Sequence, residues 1–285
     1  EIGEMTMLVI VLACTSPLSL QTHPTRQQAE RGFARENAAG IPLTDPKRVY
    51  KDPSDKPELF IALTEFEALC GFDTIEASIE RLQKFGWREE ADVLDQNGID
   101  GYLLWAFDQR TTPSMDTVPG WMSRLSDAYP TDRALRVAPL LHHIVLQPGQ
   151  AISLPAGNLH AYLHGAGIEV MASSDNVVRA GFTAKHVDVA ELLRIVDTSP
   201  LEHPMSAPTM NDHWTQYASP SEAFSVASTS WENLHTVEAS NSHRFFFGPM
   251  GDDATPDMTW LPAGESHHST TVPSTHTVAW MFTQN

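Results

Sequence analysis

Cysteine, basic residues and sequences typical of secreted proteins are scarce in this chain of 285 residues. The two cysteines, Cys14 and Cys70, lack a Cys-x-x-Cys spacing, and two cysteines in a chain this long do not make a disulfide framework. Lysine and arginine number 18 against 36 acidic residues, and the net charge of -18 argues against a nucleic-acid surface, which needs a basic stripe. The chain has no Asn-x-Ser/Thr glycosylation sequence, so nothing points outside the cell and we expect a cytoplasmic protein.

Long apolar runs are also lacking. The most apolar stretch, residues 5–14, is too short to span a bilayer. Glu1 and Glu4 precede it, whereas a signal peptide begins with a positively charged region. We therefore interpret this stretch as part of a buried β-strand and expect no contact with a membrane.

The residues that are abundant favour a β protein with many loops, since the chain has 20 prolines and 16 glycines. Short β-type segments occur near both ends, and helical spacing dominates between them. The pattern predicts a first β unit over residues 1–63, a helical insertion over 64–143, the remainder of the β unit over 144–199 and a second β unit over 200–285.

Four potential metal ligands stand in this pattern. Gln21 and His23 are two residues apart, so their side chains share one face of a strand. Glu58 begins another β segment, and His160 follows a Pro-x-Gly corner. Two histidines, a carboxylate and an amide oxygen suit one zinc ion with an open position. On spacing alone, His23 is equally well a surface histidine and Glu58 a charge at a strand end.

Several cations and one further acid could complete the site. Arg179 follows two apolar residues and could stabilise an oxyanion or hold a phosphate, with Asp175 orienting it. Lys56 lies two residues before Glu58, and Lys185 precedes a predicted helix near residue 189, where it could help to bind phosphate. Ordinary surface ion pairs and solvated loop charges explain these residues equally well when each is considered alone.

The sequence resembles the type I phosphomannose isomerases, zinc-dependent enzymes of the cupin superfamily. The likeness is colinear over about residues 8–197. Residues 149–160 fit the second cupin motif G-x5-P-x-G-x2-H-x3-N, except that His164 replaces its last asparagine. The matching segments are residues 17–24, 32–40, 50–59, 66–72, 148–162, 174–181 and 185–188.

The resemblance implies a mainly β bicupin with a helical insertion domain. It also implies reversible interconversion of D-mannose 6-phosphate and D-fructose 6-phosphate. One Zn²⁺ per chain is expected, and we expect a monomer whose partner is a small sugar phosphate. The implied zinc ligands are Gln21, His23, Glu58 and His160. The implied catalytic residue is Arg179, and the implied substrate-binding residues are Lys56, Asp175 and Lys185.

The sequence departs from the family pattern at two further positions. Ile10 stands where the family usually has a lysine, and Asp55 where it usually has a histidine. The family also has early cupin strands before the segment that starts near Met5, so the first barrel is expected to be truncated at its N-terminal side. These departures motivate an alternative, a catalytically silent cupin that retains the metal and binds sugar phosphates. A third hypothesis is a structural or lectin-like β protein without metal.

Overall fold

The computed structural model of the chain shows a mainly β protein with helices inserted between strands of its first sheet. It describes residues 6–230, 236–237, 242–249, 256–261, 263–268 and 278–284. Within these ranges, no helix combines the length and the apolar character that crossing a lipid bilayer requires.

Nine strands form the first sheet. They are β1 (Met7–Cys14), β2 (Leu20–Thr22), β3 (Glu58–Ala62), β4 (Phe66–Phe72), β5 (Leu141–Leu146), β6 (Ala151–Leu154), β7 (His160–Ala172), β8 (Val178–Gly181) and β9 (Met205–Ser206). The main path runs β5-β4-β7-β3-β6-β9, while β1 and β2 also pair with β7, and β8 pairs with β2. All of these strand pairings are antiparallel. Two paired strands that are consecutive in the sequence can therefore be joined by a short turn.

Strand β7 is the centre of this sheet, and it bends. Its first half pairs with β2 and β4, and its second half pairs with β1 and β3. Gly165 lies between the halves with φ of 115°, and a Cβ there would lie 2.5 Å from the main-chain oxygen of Glu65. The strand is nevertheless continuous from His160 to Ala172. Glycine allows the backbone to bend here without ending the strand, so the sheet curls around an interior.

The described part of the chain contains five α-helices, and residues of several of them share a buried apolar cluster with the first sheet. They are α1 (Arg26–Ala38), α2 (Ile75–Lys84), α3 (Arg88–Asp108), α4 (Gly120–Ala128) and α5 (Val189–Ile195). Thr74 accepts a hydrogen bond from the main-chain N–H of Ala77 and so caps α2, as its sequence predicted. Helix α3 consists of two helical stretches that meet at a kink, where Gly98 has φ of 63°.

The predicted helical segment 64–143 contains strand residues at both of its ends. Strand β4 and the first residues of β5 lie inside it, but both pair within the first sheet. Helices α2, α3 and α4 occupy the part between these strands. Residues 66–72 show no alternation because β4 is buried on both faces, so the sequence pattern did not indicate a strand.

A second sheet packs against the outer face of the first. Its strands are β10 (Thr209–Asn211), β11 (Trp214–Tyr217), β12 (Phe224–Ser230), β14 (His243–Pro249), β15 (Pro256–Leu261) and β17 (Val278–Gln284), and β13 (Thr236–Val237) pairs separately with β16 (His267–His268). Apolar residues from both sheets, among them Leu59, Val170, Phe224 and Phe282, form one buried cluster. The Tyr217 hydroxyl donates a hydrogen bond of 3.0 Å to the main-chain oxygen of Gly149 across this junction.

Candidate metal centre

Three buried side chains converge at one point of the curled sheet. His23 follows β2, Glu58 begins β3 and His160 begins β7. Their ligand atoms all lie within 4.8 Å of one another. Glu58 Oε1 is 3.2 Å from His23 Nε2, and Glu58 Oε2 is 3.4 Å from His160 Nε2. The sequence placed these residues in one site although up to 137 positions separate them, and the structure brings them together.

Strand pairing explains the convergence. Gln21 pairs with His160 on one side of β2 and with Arg179 on the other, so these three residues are direct neighbours across strands. The Pro-x-Gly corner is fixed to the same place, because the N–H of Gly157 donates a hydrogen bond of 2.7 Å to the main-chain oxygen of His23. Gly157 has φ of 82°, a conformation that a larger residue adopts only with strain.

Hydrogen bonds to main-chain oxygens orient both imidazoles. His23 Nδ1 donates to the oxygen of Asn176 at 2.7 Å, and His160 Nδ1 donates to the oxygen of Asn158 at 3.1 Å. A carbonyl oxygen only accepts, so Nδ1 carries a proton in each ring, and a ring with no second proton has its lone pair on Nε2. The lone pair of each Nε2 therefore faces the centre, as in a metal-ligating histidine whose other nitrogen is held by the protein.

The chemistry of these donors fits a zinc ion. His23 Nε2, His160 Nε2 and both carboxylate oxygens of Glu58 are buried. Apart from their contacts with one another and with the Lys56 ammonium, they have no polar partner in the described part of the chain. Burial lowers the pKa of His160 to about 4, so its ring is neutral at physiological pH. In the metal-free site burial opposes ionisation of Glu58, but His23 and then Lys56 outweigh it and hold the pKa of this carboxyl below its usual range. Neutral imidazoles and an ionised carboxylate are ligands that zinc accepts.

The fourth predicted ligand, Gln21, is close to these three. It pairs directly with His160, and both residues line one cavity of about 450 Å³. Its amide oxygen accepts a hydrogen bond of 3.0 Å from the Ser19 hydroxyl, which orients the amide. Ligation by Gln21 stays a prediction, and its place beside His160 is compatible with it.

The other predicted site residues lie around this centre. Lys56 Nζ is 3.0 Å from Glu58 Oε1, so it contacts the metal-ligand set directly. Arg179 and Lys185 line the 450 Å³ cavity together with His160. Burial lowers the pKa of Arg179 from its ordinary value. Its guanidinium makes no hydrogen bond to another described residue, which leaves its donors available to a ligand.

Asp175 does not line the 450 Å³ cavity. It is exposed and lines a neighbouring cavity of about 560 Å³, which shares Arg179 and Lys185 with the first. Its main-chain N–H donates a hydrogen bond of 2.9 Å to Asp52, and its carboxylate makes no hydrogen bond to Arg179. The predicted orienting contact between the two side chains is therefore not formed.

Sequence reasoning missed three residues of this site. Glu169 and Tyr162 line the 450 Å³ cavity, and Asn176 holds His23 from outside it. A signal for Glu169 was present, because it is a lone acid between Ile168 and Val170 in an apolar strand. A carboxyl group is seldom placed in a buried strand unless something requires it there.

Comparison with known proteins agrees with this geometry. Residues 1–75 match the family model of the phosphomannose isomerase type I catalytic domain. The mannose-6-phosphate isomerases of Escherichia coli (strain K12) and Shigella flexneri are each 34% identical to the chain over 271 residues, covering 88% of this chain and 69% of each relative. The chain belongs to the type I phosphomannose isomerase family. The resemblance read from the sequence is thereby confirmed.

Solved structures of this family share the fold. A mannose 6-phosphate isomerase from Salmonella typhimurium, bound to fructose 6-phosphate and zinc, matches with a TM-score of 0.81 and 28% identity. The match covers 99% of this chain and 80% of that one. A zinc-bound mannose 6-phosphate isomerase matches with a TM-score of 0.80 and 30% identity over the same shares. The predicted mainly β, cupin-type fold with inserted helices is confirmed.

Proposed function

We propose that this chain is a zinc-dependent isomerase that interconverts D-mannose 6-phosphate and D-fructose 6-phosphate. The observation that carries the proposal is the convergence of His23, Glu58 and His160 beside a cavity lined by two cations, Arg179 and Lys185. In a protein with a net charge of -18, two cations at one cavity suit an anionic substrate. The names of the relatives agree with this proposal.

Each site residue has a role in this proposal. His23, Glu58, His160 and Gln21 hold the zinc, and Lys56 keeps Glu58 ionised by its contact of 3.0 Å. Arg179 presents its free donors to the negative charge that develops on the sugar oxygens during the reaction. Lys185 and Asp175 bind the phosphate and hydroxyl groups at the mouth of the site. A bound zinc would supply Lewis acidity to the substrate oxygens.

The test is a coupled assay of fructose 6-phosphate formation from mannose 6-phosphate with the purified, zinc-loaded protein. We expect turnover that a chelator abolishes and added zinc restores. We also expect one zinc per chain by metal analysis, and its loss in both His23→Ala and His160→Ala. Bound zinc without any turnover would contradict the enzymatic proposal.

A second candidate function is a silent cupin that retains zinc and binds sugar phosphates. It is favoured by Ile10, an apolar and 44% exposed residue at a position where the sequence comparison led us to expect a lysine. The coupled assay separates the two functions, since only the isomerase forms product. Titration of the zinc-loaded protein with mannose 6-phosphate then shows whether an inactive protein still binds the sugar.

The proposed function also implies an oligomeric state, a location and a partner for this chain. We infer that the chain acts as a monomer in the cytoplasm on a free sugar phosphate, with no nucleic-acid partner. Its acidic charge supports the last point. Sedimentation of the purified protein tests the monomer.

A further inference from the structure

The proposed isomerisation needs a group that removes a proton from one carbon and returns it to the next. We propose that Glu169 is this catalytic base, an inference that rests on the proposed function. Among the described residues that line the 450 Å³ cavity, Glu169 is the one carboxylic acid. The other carboxylate of the site, Glu58, is committed to the metal set.

The position of Glu169 suits proton transfer. It lies on β7, nine residues after His160, and shares the cavity with His160 and Arg179. The side chain is buried, and the Tyr162 hydroxyl donates a hydrogen bond of 2.7 Å to its Oε1. Its Oε2 has no hydrogen-bond partner in the described part of the chain. One oxygen is thus held by the protein while the other is available to a substrate.

Among the residues that the structure describes, no cation forms an ion pair with Glu169. Its two direct neighbours across strands are Ile10 on β1 and Phe60 on β3, and both are apolar. The charged or titratable groups that act on it are Tyr162 on its own strand, Glu58 on β3, Lys56 before β3 and His23 after β2. Of these, Lys56 is bound to Glu58 rather than to Glu169.

In the metal-free site, this environment favours uptake of a proton by the Glu169 carboxylate. Burial, followed by repulsion from Glu58, raises the pKa of Glu169 to about 7. A general base is most effective when its pKa lies near the pH at which it works. Lys56 and Asp55 are less suitable as the base, because Lys56 is paired with Glu58 and Asp55 does not line this cavity.

The proposed isomerisation moves one proton from carbon-2 to carbon-1 and another from the carbon-2 oxygen to the carbon-1 oxygen. In the open-chain aldose, the Glu169 carboxylate removes the proton from carbon-2. The electrons of that C–H bond form the C1–C2 double bond, and the carbonyl oxygen on carbon-1 becomes negative. The proton on the carbon-2 oxygen moves to the carbon-1 oxygen. The Glu169 carboxyl group then gives its proton to carbon-1, the electrons of the double bond form the new C–H bond, and a carbonyl group forms at carbon-2.

Glu169→Gln tests the inference, because glutamine keeps the shape and hydrogen-bonding capacity but cannot take up the proton. We expect kcat to fall by roughly 10²–10⁴-fold, the range of general acid–base catalysis, with zinc content and KM little changed. In D₂O, exchange of the carbon-2 hydrogen of mannose 6-phosphate, followed by NMR, should be lost together with turnover. The matched control is Glu65→Gln, an exposed glutamate outside the cavity, which should leave both rates unchanged.

A second variant, Tyr162→Phe, tests the inference whether or not the Glu169→Gln protein folds. Removing the hydroxyl takes a hydrogen bond from the carboxylate, so the pKa of Glu169 should rise and the acidic limb of the kcat–pH profile should move to higher pH. An unmoved limb would overturn the inference, as would a zinc-loaded Glu169→Gln protein with wild-type kcat. Absence of turnover in the wild-type protein would instead contradict the proposed function itself.

Discussion

His23 Nδ1 donates a hydrogen bond of 2.7 Å to the main-chain oxygen of Asn176, a residue 153 positions away in the sequence. The Asn176 side chain is fully buried, and its amide bonds the loop that leads to Lys56. Its Oδ1 accepts from the N–H of Lys51 at 2.7 Å, and its Nδ2 donates to the main-chain oxygens of Asp52 and Ser54. Asn176 therefore connects a metal-ligating histidine with the loop that carries the neighbouring lysine.

Asn176→Ala should weaken zinc binding although Asn176 is not a ligand. The alanine leaves buried main-chain donors and acceptors of the loop without partners and releases the segment that orients His23. Loss of such an outer contact typically lowers metal affinity about 10–100-fold. Competition with a chromophoric chelator measures this change, and Asn97→Ala, at an exposed asparagine on α3, is the control. An unchanged affinity would show that Asn176 does not position His23.

Arg179→Lys should lower turnover without removing the metal. Lysine keeps the positive charge but loses the planar set of donors that the half-buried guanidinium offers to the cavity. We expect kcat to fall by about 10²–10³-fold, as for other lost donors to a developing oxyanion. The zinc content should stay at one per chain, and Arg88→Ala, at an exposed arginine, should behave like the wild-type protein. Loss of zinc in Arg179→Lys would show that its role is structural.

Glu169 should make the metal-free protein less stable as the pH rises. Its pKa is about 7 in the folded protein against an ordinary value of 4.5, so the folded state keeps a proton that the unfolded chain releases between these values. The stability that this group contributes is fully present below the pKa of the unfolded chain. It is lost as the pH rises through the pKa of the folded protein. The loss is on the order of 3 kcal/mol above the upper pKa.

Urea denaturation of the metal-free wild-type protein and of Glu169→Gln, at about pH 5 and about pH 8, measures this effect. The free energy of unfolding of the wild-type protein should fall relative to that of the variant at the higher pH. A difference between the two proteins that does not depend on pH would mean that Glu169 ionises as readily in the folded chain as in the unfolded one.

Local patterns predicted the parts of the site that depend on local spacing. The alternation of Gln21 and His23 and the Pro-x-Gly corner before His160 indicate donor residues at strand ends, and helix α2 begins at its predicted cap, Thr74. These features depend on a few adjacent residues, so the sequence alone shows them.

The features that escaped prediction depend on contacts between distant residues. Strand β7 continues through Gly165 because four other strands pair with it, and this continuity places Glu169 in the same cavity as His160. No spacing rule relates Glu169 to Ile10 and Phe60, which flank it only after the sheet has formed. The contact of Asn176 with His23 is likewise fixed by tertiary structure and not by any short motif.

Anomalous diffraction at the zinc absorption edge, from crystals of the zinc-loaded protein, tests the metal centre most directly. We expect one peak per chain, with His23 Nε2, His160 Nε2 and a Glu58 oxygen at about 2.0–2.2 Å and the Gln21 amide oxygen completing the set. A peak elsewhere in the molecule, or no peak between these three side chains at full zinc loading, would contradict the assignment of this site.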